Sequence, residues 1–130
     1  MNKENIKTIL ITGGLGLLGK KVAKELVDLG HNVIIGDVKK ENEIDHKNFF
    51  NSQNFLYCNL DICNENSIDK SINIAYEKFG NLDCCINLAY PKGKNWGKDF
   101  HEINIKIVSK HLHNQLASSI ILSQRIINFF

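Results

Sequence analysis

Short apolar runs alternate with longer amphipathic stretches along most of the chain. Thr8-Ile9-Leu10-Ile11, Asn32-Val33-Ile34-Ile35-Gly36-Asp37, Asn54-Phe55-Leu56-Tyr57-Cys58-Asn59 and Leu82-Asp83-Cys84-Cys85-Ile86-Asn87 are the apolar runs. Runs this short predict strands, and Leu82–Asn87 is apolar enough to be buried on both faces. Between them the period changes. Lys20 to Leu29 is amphipathic, and Ile68, Ile72, Ala75, Tyr76 and Phe79 recur three or four apart on one helical face. Gly30 suits the stop of the first helix, Asn64 the N-cap of the second and Gly80 its end. Asn104 caps a predicted last long helix whose apolar positions are Ile105, Val108, Leu112, Leu116, Ile120 and Ile121. The polar stretch from Lys39 to Ser52, with Phe49-Phe50 as an anchor, predicts a short helix plus loop, and Leu88 to Lys98 predicts a second loop.

The junction after the first strand carries the candidate chemistry. Thr12-Gly13-Gly14-Leu15-Gly16-Leu17-Leu18-Gly19 joins strand to helix. This order places a dinucleotide pyrophosphate on a helix N-terminus, where backbone amides point at the anion. Gly13 and Gly14 let the chain turn sharply, Gly16 presents no side chain to a phosphate, and Gly19 lets the helix pack closely on the strand. Gly13, Gly16, Leu17, Leu18 and Gly19 are therefore candidate cofactor contacts. Asp37 ends the second strand 18 residues beyond Gly19. A carboxylate there accepts hydrogen bonds from the adenosine ribose hydroxyls and repels a 2′-phosphate, so NAD is favoured over NADP. Lys39 and Lys40 follow closely with the opposite charge.

Strands alternating with helices imply an α/β fold: a partial Rossmann-type parallel sheet with flanking helices, right-handed crossovers and four strands in the order 3-2-1-4. Strand four is then an edge, which is a liability for a strand of buried type. The chain stops within the apolar stretch Ile126-Ile127-Asn128-Phe129-Phe130. The expectation is one dinucleotide-binding domain over residues 1–130 with further structure beyond it.

Composition narrows the partners. A formal charge of +2, with no basic run carrying interleaved aromatics, argues against nucleic acid. No apolar stretch reaches membrane-span length, and the first residues lack a signal-peptide core, so a cytoplasmic location and no membrane partner are expected. Cys58, Cys63, Cys84 and Cys85 match neither a zinc pattern nor a C-x-x-C redox motif. All four read as small, mostly buried thiols in a reducing compartment. His111 and His113 are two apart and do not share a helical face, so no metal site is predicted.

Two further segments make the chain resemble the short-chain dehydrogenase/reductase superfamily over nearly its whole length. Asn59-Leu60-Asp61-Ile62 is similar to the family's strand-three end, and Gly80-Asn81-Leu82-Asp83-Cys84-Cys85-Ile86-Asn87-Leu88-Ala89 to its G-x-L-D-x-x-h-N-x-A segment. The resemblance implies that Asp61 and the backbone of Ile62 contact the adenine amino group. It also implies that Asn87 steadies the sheet beside the cofactor and that Ala89 leaves room for a ribose. The glycine spacing, T-G-x-x-G-x-x-G, is more like the sugar-nucleotide epimerases and dehydratases of the same superfamily. Ala89-Tyr90-Pro91 with Lys94-Asn95-Trp96-Gly97 resembles dehydrogenases encoded among surface-sugar and flagellin-glycan genes.

The resemblance implies NAD(P)-dependent interconversion of a hydroxyl and a carbonyl on a small or sugar-like substrate. The family's chemistry requires a serine on the next strand and a helical Tyr-x-x-x-Lys, in which the tyrosine moves a proton while hydride moves at the nicotinamide. Tyr90-Pro91-Lys92-Gly93-Lys94 has that spacing, but a proline and a glycine exclude the helical turn, so no catalytic residue is assigned. A family asparagine that holds a relay water aligns, without gaps from Ser123-Gln124, with Gln115, next to Asn114. Ser118, Ser119 and Ser123 read as packing residues. Two alternatives stay open: a non-catalytic nucleotide-binding module, and a fragment of an epimerase or dehydratase. Homo-oligomerisation through the last helix also stays open.

Overall fold

The computed structural model describes residues 6–39 and 53–130, so the short helix expected around Phe49-Phe50 lies outside the described residues. Four strands, β1 (Thr8–Thr12), β2 (Asn32–Asp37), β3 (Phe55–Asn59) and β4 (Cys84–Asn87), pair in parallel in the order β3-β2-β1-β4. The register brings the C-terminal ends together: Thr12 lies opposite Gly36 and Asn87, and Asp37 lies opposite Asn59. In such a sheet, ligand crevices form outside these ends, where the strand order reverses, here between β1 and β4.

The strand pleat divides the core into two layers. Ile9 and Ile11 of β1 join Val33, Ile35, Leu15 and Ala23 under helix α1 (Leu17–Asp28). Leu10 points to the other face, among Ile34, Cys58, Ile68, Ile72 and Leu122, under α2 (Glu65–Phe79). Asn64 caps α2 by accepting the Ser67 amide at 3.2 Å, and Gly80 ends it at φ 80°. At the sheet's opposite end, Asp83 Oδ2 accepts the Thr8 amide at 2.7 Å and ties β4 to the start of β1.

Two expectations are corrected here. β4 is half-buried rather than buried on both faces, because among the described residues it pairs only with β1. The last helix is one rod of three parts: α3 (Ile105–Leu112), a π turn (His113–Ala117) and α4 (Ser118–Ile127). Asn104 caps it as predicted, accepting the Ile107 amide at 3.1 Å. Its buried face, however, is Asn114, Ser118, Leu122 and Ile126, whereas Ile105 (76% exposed), Leu112, Leu116 (58%) and Ile120 point outward. The small Ser118 allows close approach to the core. Arg125 then bolts α4 to α2 through Asp69 at 3.1 Å and through Glu65. Of the predicted apolar stripe, Ile121 packs against the core, and most of the rest faces away from the sheet.

Candidate functional site

The turn between β1 and α1 is built by close approach. Gly13 has φ 64°, and a Cβ on it would lie 2.7 Å from both Ala89 Cα and the Leu88 carbonyl oxygen. A Cβ on Gly19 would lie 2.5 Å from the Gly13 carbonyl oxygen and 2.6 Å from Gly14 Cα, so the first turn of the helix rests on the loop backbone. Gly14, expected to turn the chain, makes space for Ile35 instead. Gly16 is different: a Cβ there meets only the Gly13 oxygen, at 3.1 Å. Gly16 is the N-cap of α1, which begins three residues earlier than its amphipathic pattern, and no side chain caps it. The Lys20 amide takes the Gly16 carbonyl at 3.1 Å, so the amides of Leu17, Leu18 and Gly19 have no acceptor within the helix. The Leu17 and Leu18 side chains stand in solvent, at 82% and 65% exposure. Three uncapped amides at the positive end of a helix suit an anion.

Asp37 faces this turn from the end of β2 and is 7% exposed. Its Oδ2 accepts the Leu15 amide at 2.9 Å and its Oδ1 the Lys39 amide at 3.0 Å. Each oxygen keeps a further lone pair, so the carboxylate is held still and can still accept. A cleft of about 780 Å³ runs along these groups. Gly13, Gly16, Leu17, Leu18, Gly19 and Asp37 all line it, as do Asp61, Ile62 and Ala89. Asp61 Oδ1 accepts the Cys63 amide at 2.9 Å, which fixes the carboxylate in a turn at the start of α2.

Asn87 does not line the cleft. It is exposed at the end of β4, where its carbonyl accepts the Thr12 hydroxyl and its amide donates to Ser119 Oγ at 3.2 Å. Thr12 Oγ1 also accepts the Ala89 amide at 3.3 Å, so one buried hydroxyl fixes the path of β4 into the cleft.

The far wall is the loop after β4, represented by Tyr90, Pro91 and Lys92. The Pro91 carbonyl accepts Gln115 Nε2 at 2.7 Å, Tyr90 meets Trp96 edge to face at 5.0 Å, and Trp96 meets His111 at 5.7 Å. Gln115 thus holds the loop, and Asn114 beside it lines the cleft. Both residues lie in the π turn, His113–Ala117. Ser118, Ser119 and Ser123 each donate to the carbonyl four residues back, so their hydroxyls belong to the helix.

A family model for short chain dehydrogenases matches residues 7–130. The chain belongs to the short-chain dehydrogenase family. It is 29% identical over 129 residues to post-translational flagellin modification protein A of Campylobacter coli, covering 95% of this chain and 50% of that protein. Its fold is similar to the 3-ketoacyl-(acyl-carrier-protein) reductase of Brucella melitensis complexed with NADH: TM-score 0.79, 22% identity, 95% of this chain and 50% of that one. It is similar also to a short chain dehydrogenase from Leptospira borgpetersenii with bound NAD+: TM-score 0.75, 23% identity, 95% of this chain and 45% of that one. The chain therefore spans about half the length of these relatives. The family match lies with the dehydrogenases and not with the epimerase and dehydratase branch suggested by the glycine spacing.

Within this short-chain dehydrogenase cleft, Val38, Cys63 and Lys110 are wall residues to which no motif pointed, and Lys39 and Asn114 line it without having been assigned a contact. Cys63 is also exposed, against the expectation of burial. Partial burial and then the Asp61 carboxylate push its thiol above its ordinary value. Burial raises Cys58 likewise and holds Cys85 up to about 12. Among the described residues, no cluster of three or more His, Cys, Asp or Glu could hold a metal, and no helix is long and apolar enough to cross a membrane.

Proposed function

We propose that residues 1–130 form the NAD-binding part of a short-chain oxidoreductase that interconverts a hydroxyl and a carbonyl. The observation that carries this reading is the trio of uncapped amides at Leu17, Leu18 and Gly19, facing a cleft shared with the immobilised Asp37 carboxylate. The amides and the space at Gly16 receive the diphosphate. Asp37 accepts the adenosine ribose hydroxyls and disfavours a 2′-phosphate by like charge, which selects NAD over NADP. Asp61 and the Ile62 backbone address the adenine edge. Ala89, against Gly13, leaves room for the second ribose, and Asn87 steadies that segment through Thr12. Bound NAD supplies a carbon that accepts or gives hydride; the residues named here bind and orient it. The only Tyr-x-x-x-Lys spacing, Tyr90 to Lys94, lies in a loop and is assigned no proton transfer.

The substrate is read as small and sugar-like, on the likeness to the flagellin modification protein. The outward stripe of Ile105, Leu112, Leu116 and Ile120 is read as the surface through which two copies associate. Four free thiols fit a cytoplasmic setting. Calorimetric titration of the 130-residue chain with NAD and NADP tests the proposal. Saturable heat with NAD, and at least roughly tenfold weaker binding of NADP, is expected from one hydrogen-bonded carboxylate. Absence of NAD binding by the folded chain refutes it.

A further inference from the structure

The Asp37 carboxylate does not hold its own position. Its two oxygens are fixed by amides, one from Leu15 and one from Lys39. The Leu15 amide belongs to the glycine turn, whose backbone is braced by close packing. The Lys39 amide belongs to a short turn leaving β2, and that turn is braced from β3. Asp37 O accepts the Leu60 amide at 3.0 Å, and Asn59 Nδ2 lies 3.5 Å from Val38 O. The Tyr57 hydroxyl donates to Lys39 O and lies 3.4 Å from Asp37 O. A phenol has one proton, so the short contact to Lys39 is the bond it makes. The Tyr57 ring packs with the cluster under α1, alongside Ile9, Ile11 and Ile35, so the hydroxyl is delivered from a half-buried base.

We infer that Tyr57 is a positioning residue for cofactor recognition: by holding the Lys39 carbonyl, and so the backbone of the residue whose N–H grips Asp37, it aims the Asp37 carboxylate at the adenosine ribose diol. This rests on the nucleotide reading given above. Tyr57 does not itself line the cleft. It acts through a chain of two bonds, its hydroxyl to Lys39 O and the Lys39 amide to Asp37 Oδ1. Without the hydroxyl, the Lys39 carbonyl loses a bond that restrains this backbone, the Lys39 N–H on the preceding peptide is held less firmly against Oδ1, and the ribose meets a carboxylate that is less well aimed. The uncapped amides of Leu17, Leu18 and Gly19 lie outside this chain of bonds.

The test compares two ligands on two proteins by calorimetry: NAD, and an NAD analogue lacking the adenosine 2′-hydroxyl, on wild type and on Tyr57→Phe. A hydrogen bond to a carboxylate is worth roughly a factor of ten or more in affinity. Wild type should therefore prefer NAD by about tenfold, and Tyr57→Phe by about threefold or less, with the analogue's affinity unchanged within about twofold. Tyr57→Leu, which keeps an apolar side chain on the sheet, should give the same reduced ratio, and thermal melts report that each variant is folded. An unchanged ratio in the folded variants overturns the inference, as does an equal loss of both ligands, which is the mark of a packing role alone. Failure of wild type to bind either ligand is a different result, and overturns the nucleotide reading itself.

Discussion

Replacing Gly16 and Gly19 with alanine, one at a time, separates folding from binding at a single turn. The Gly19→Ala methyl arrives 2.5 Å from one backbone oxygen and 2.6 Å from a backbone carbon, so the start of the helix must lift off the loop. Overpacking of this kind costs about 1–3 kcal/mol, offset by no more than about 1 kcal/mol of helix propensity. The net loss is about 1–2 kcal/mol, a fall of roughly 5 °C in Tm for a domain of this size. The Gly16→Ala methyl meets only one atom, at 3.1 Å, and its backbone (φ −71°, ψ 174°) is open to alanine. A poorer N-cap costs a few tenths of a kcal/mol to about 1, and the loss of glycine's unfolded-state freedom returns about 0.4–1. The Tm of Gly16→Ala should thus stay within about 2 °C of wild type. That methyl nevertheless stands beside the three uncapped amides. Charge-assisted hydrogen bonds contribute about 1.5–3 kcal/mol each, so holding a diphosphate away from even two of them weakens NAD by about a hundredfold or more. Thermal melts and NAD calorimetry on both variants read the two effects apart. A Gly16→Ala chain that is folded and binds NAD like wild type refutes the assignment of the turn, and a Gly19→Ala chain as stable as wild type refutes the close-packing argument.

Three other outcomes follow from the same geometry. Iodoacetamide should label Cys63 before Cys58 or Cys85, and saturating NAD should slow that labelling at least about fivefold, because Cys63 lines the cleft; peptide mass spectrometry reads both, and labelling indifferent to NAD contradicts the placement of the ligand. The Cys85 thiol is held up to about 12 against an ordinary 9.0, so the unfolded chain ionises first. Its contribution is full below pH 9 and is lost as pH climbs toward 12, by up to about 4 kcal/mol, so the gap between wild type and Cys85→Ala in urea midpoints should narrow from pH 8 to pH 10.5. Leu116→Glu should reduce self-association by sedimentation without lowering the monomer's Tm by more than about 2 °C, since Leu116 is 58% exposed; unchanged association would remove the outer stripe as an interface.

Much of this was legible in the residues because local signals and fold agreed. The run Asn32–Asp37 carries β2, and Asn64, Gly80 and Asn104 cap or end the helices where their chemistry predicts. Every cleft residue proposed from the glycine turn lines the cleft, because backbone spacing alone dictates that geometry. Patterning failed where burial departed from polarity. Asn114 and Ser118 are buried while Leu112 and Leu116 are not, since α4 meets the core through a ridge with small and polar members and leaves its apolar ridge outside. Asn114 lies in the π turn and lines the cleft, and a π turn has no signature in a hydrophobic period. Tyr57 escaped notice for another reason: its ring reads as an ordinary strand residue, and only the fold shows that its hydroxyl reaches the peptide behind Asp37.

An amide NMR titration of the ¹⁵N-labelled chain with NAD addresses the central claim residue by residue. The resonances of Gly13, Gly16, Leu17, Leu18 and Gly19 should move together and saturably, joined by Lys39 and Ile62, while amides in the exposed middle of α2 stay still. Saturation with the glycine turn unmoved, or shifts confined to the outer face of the last helix, would contradict it.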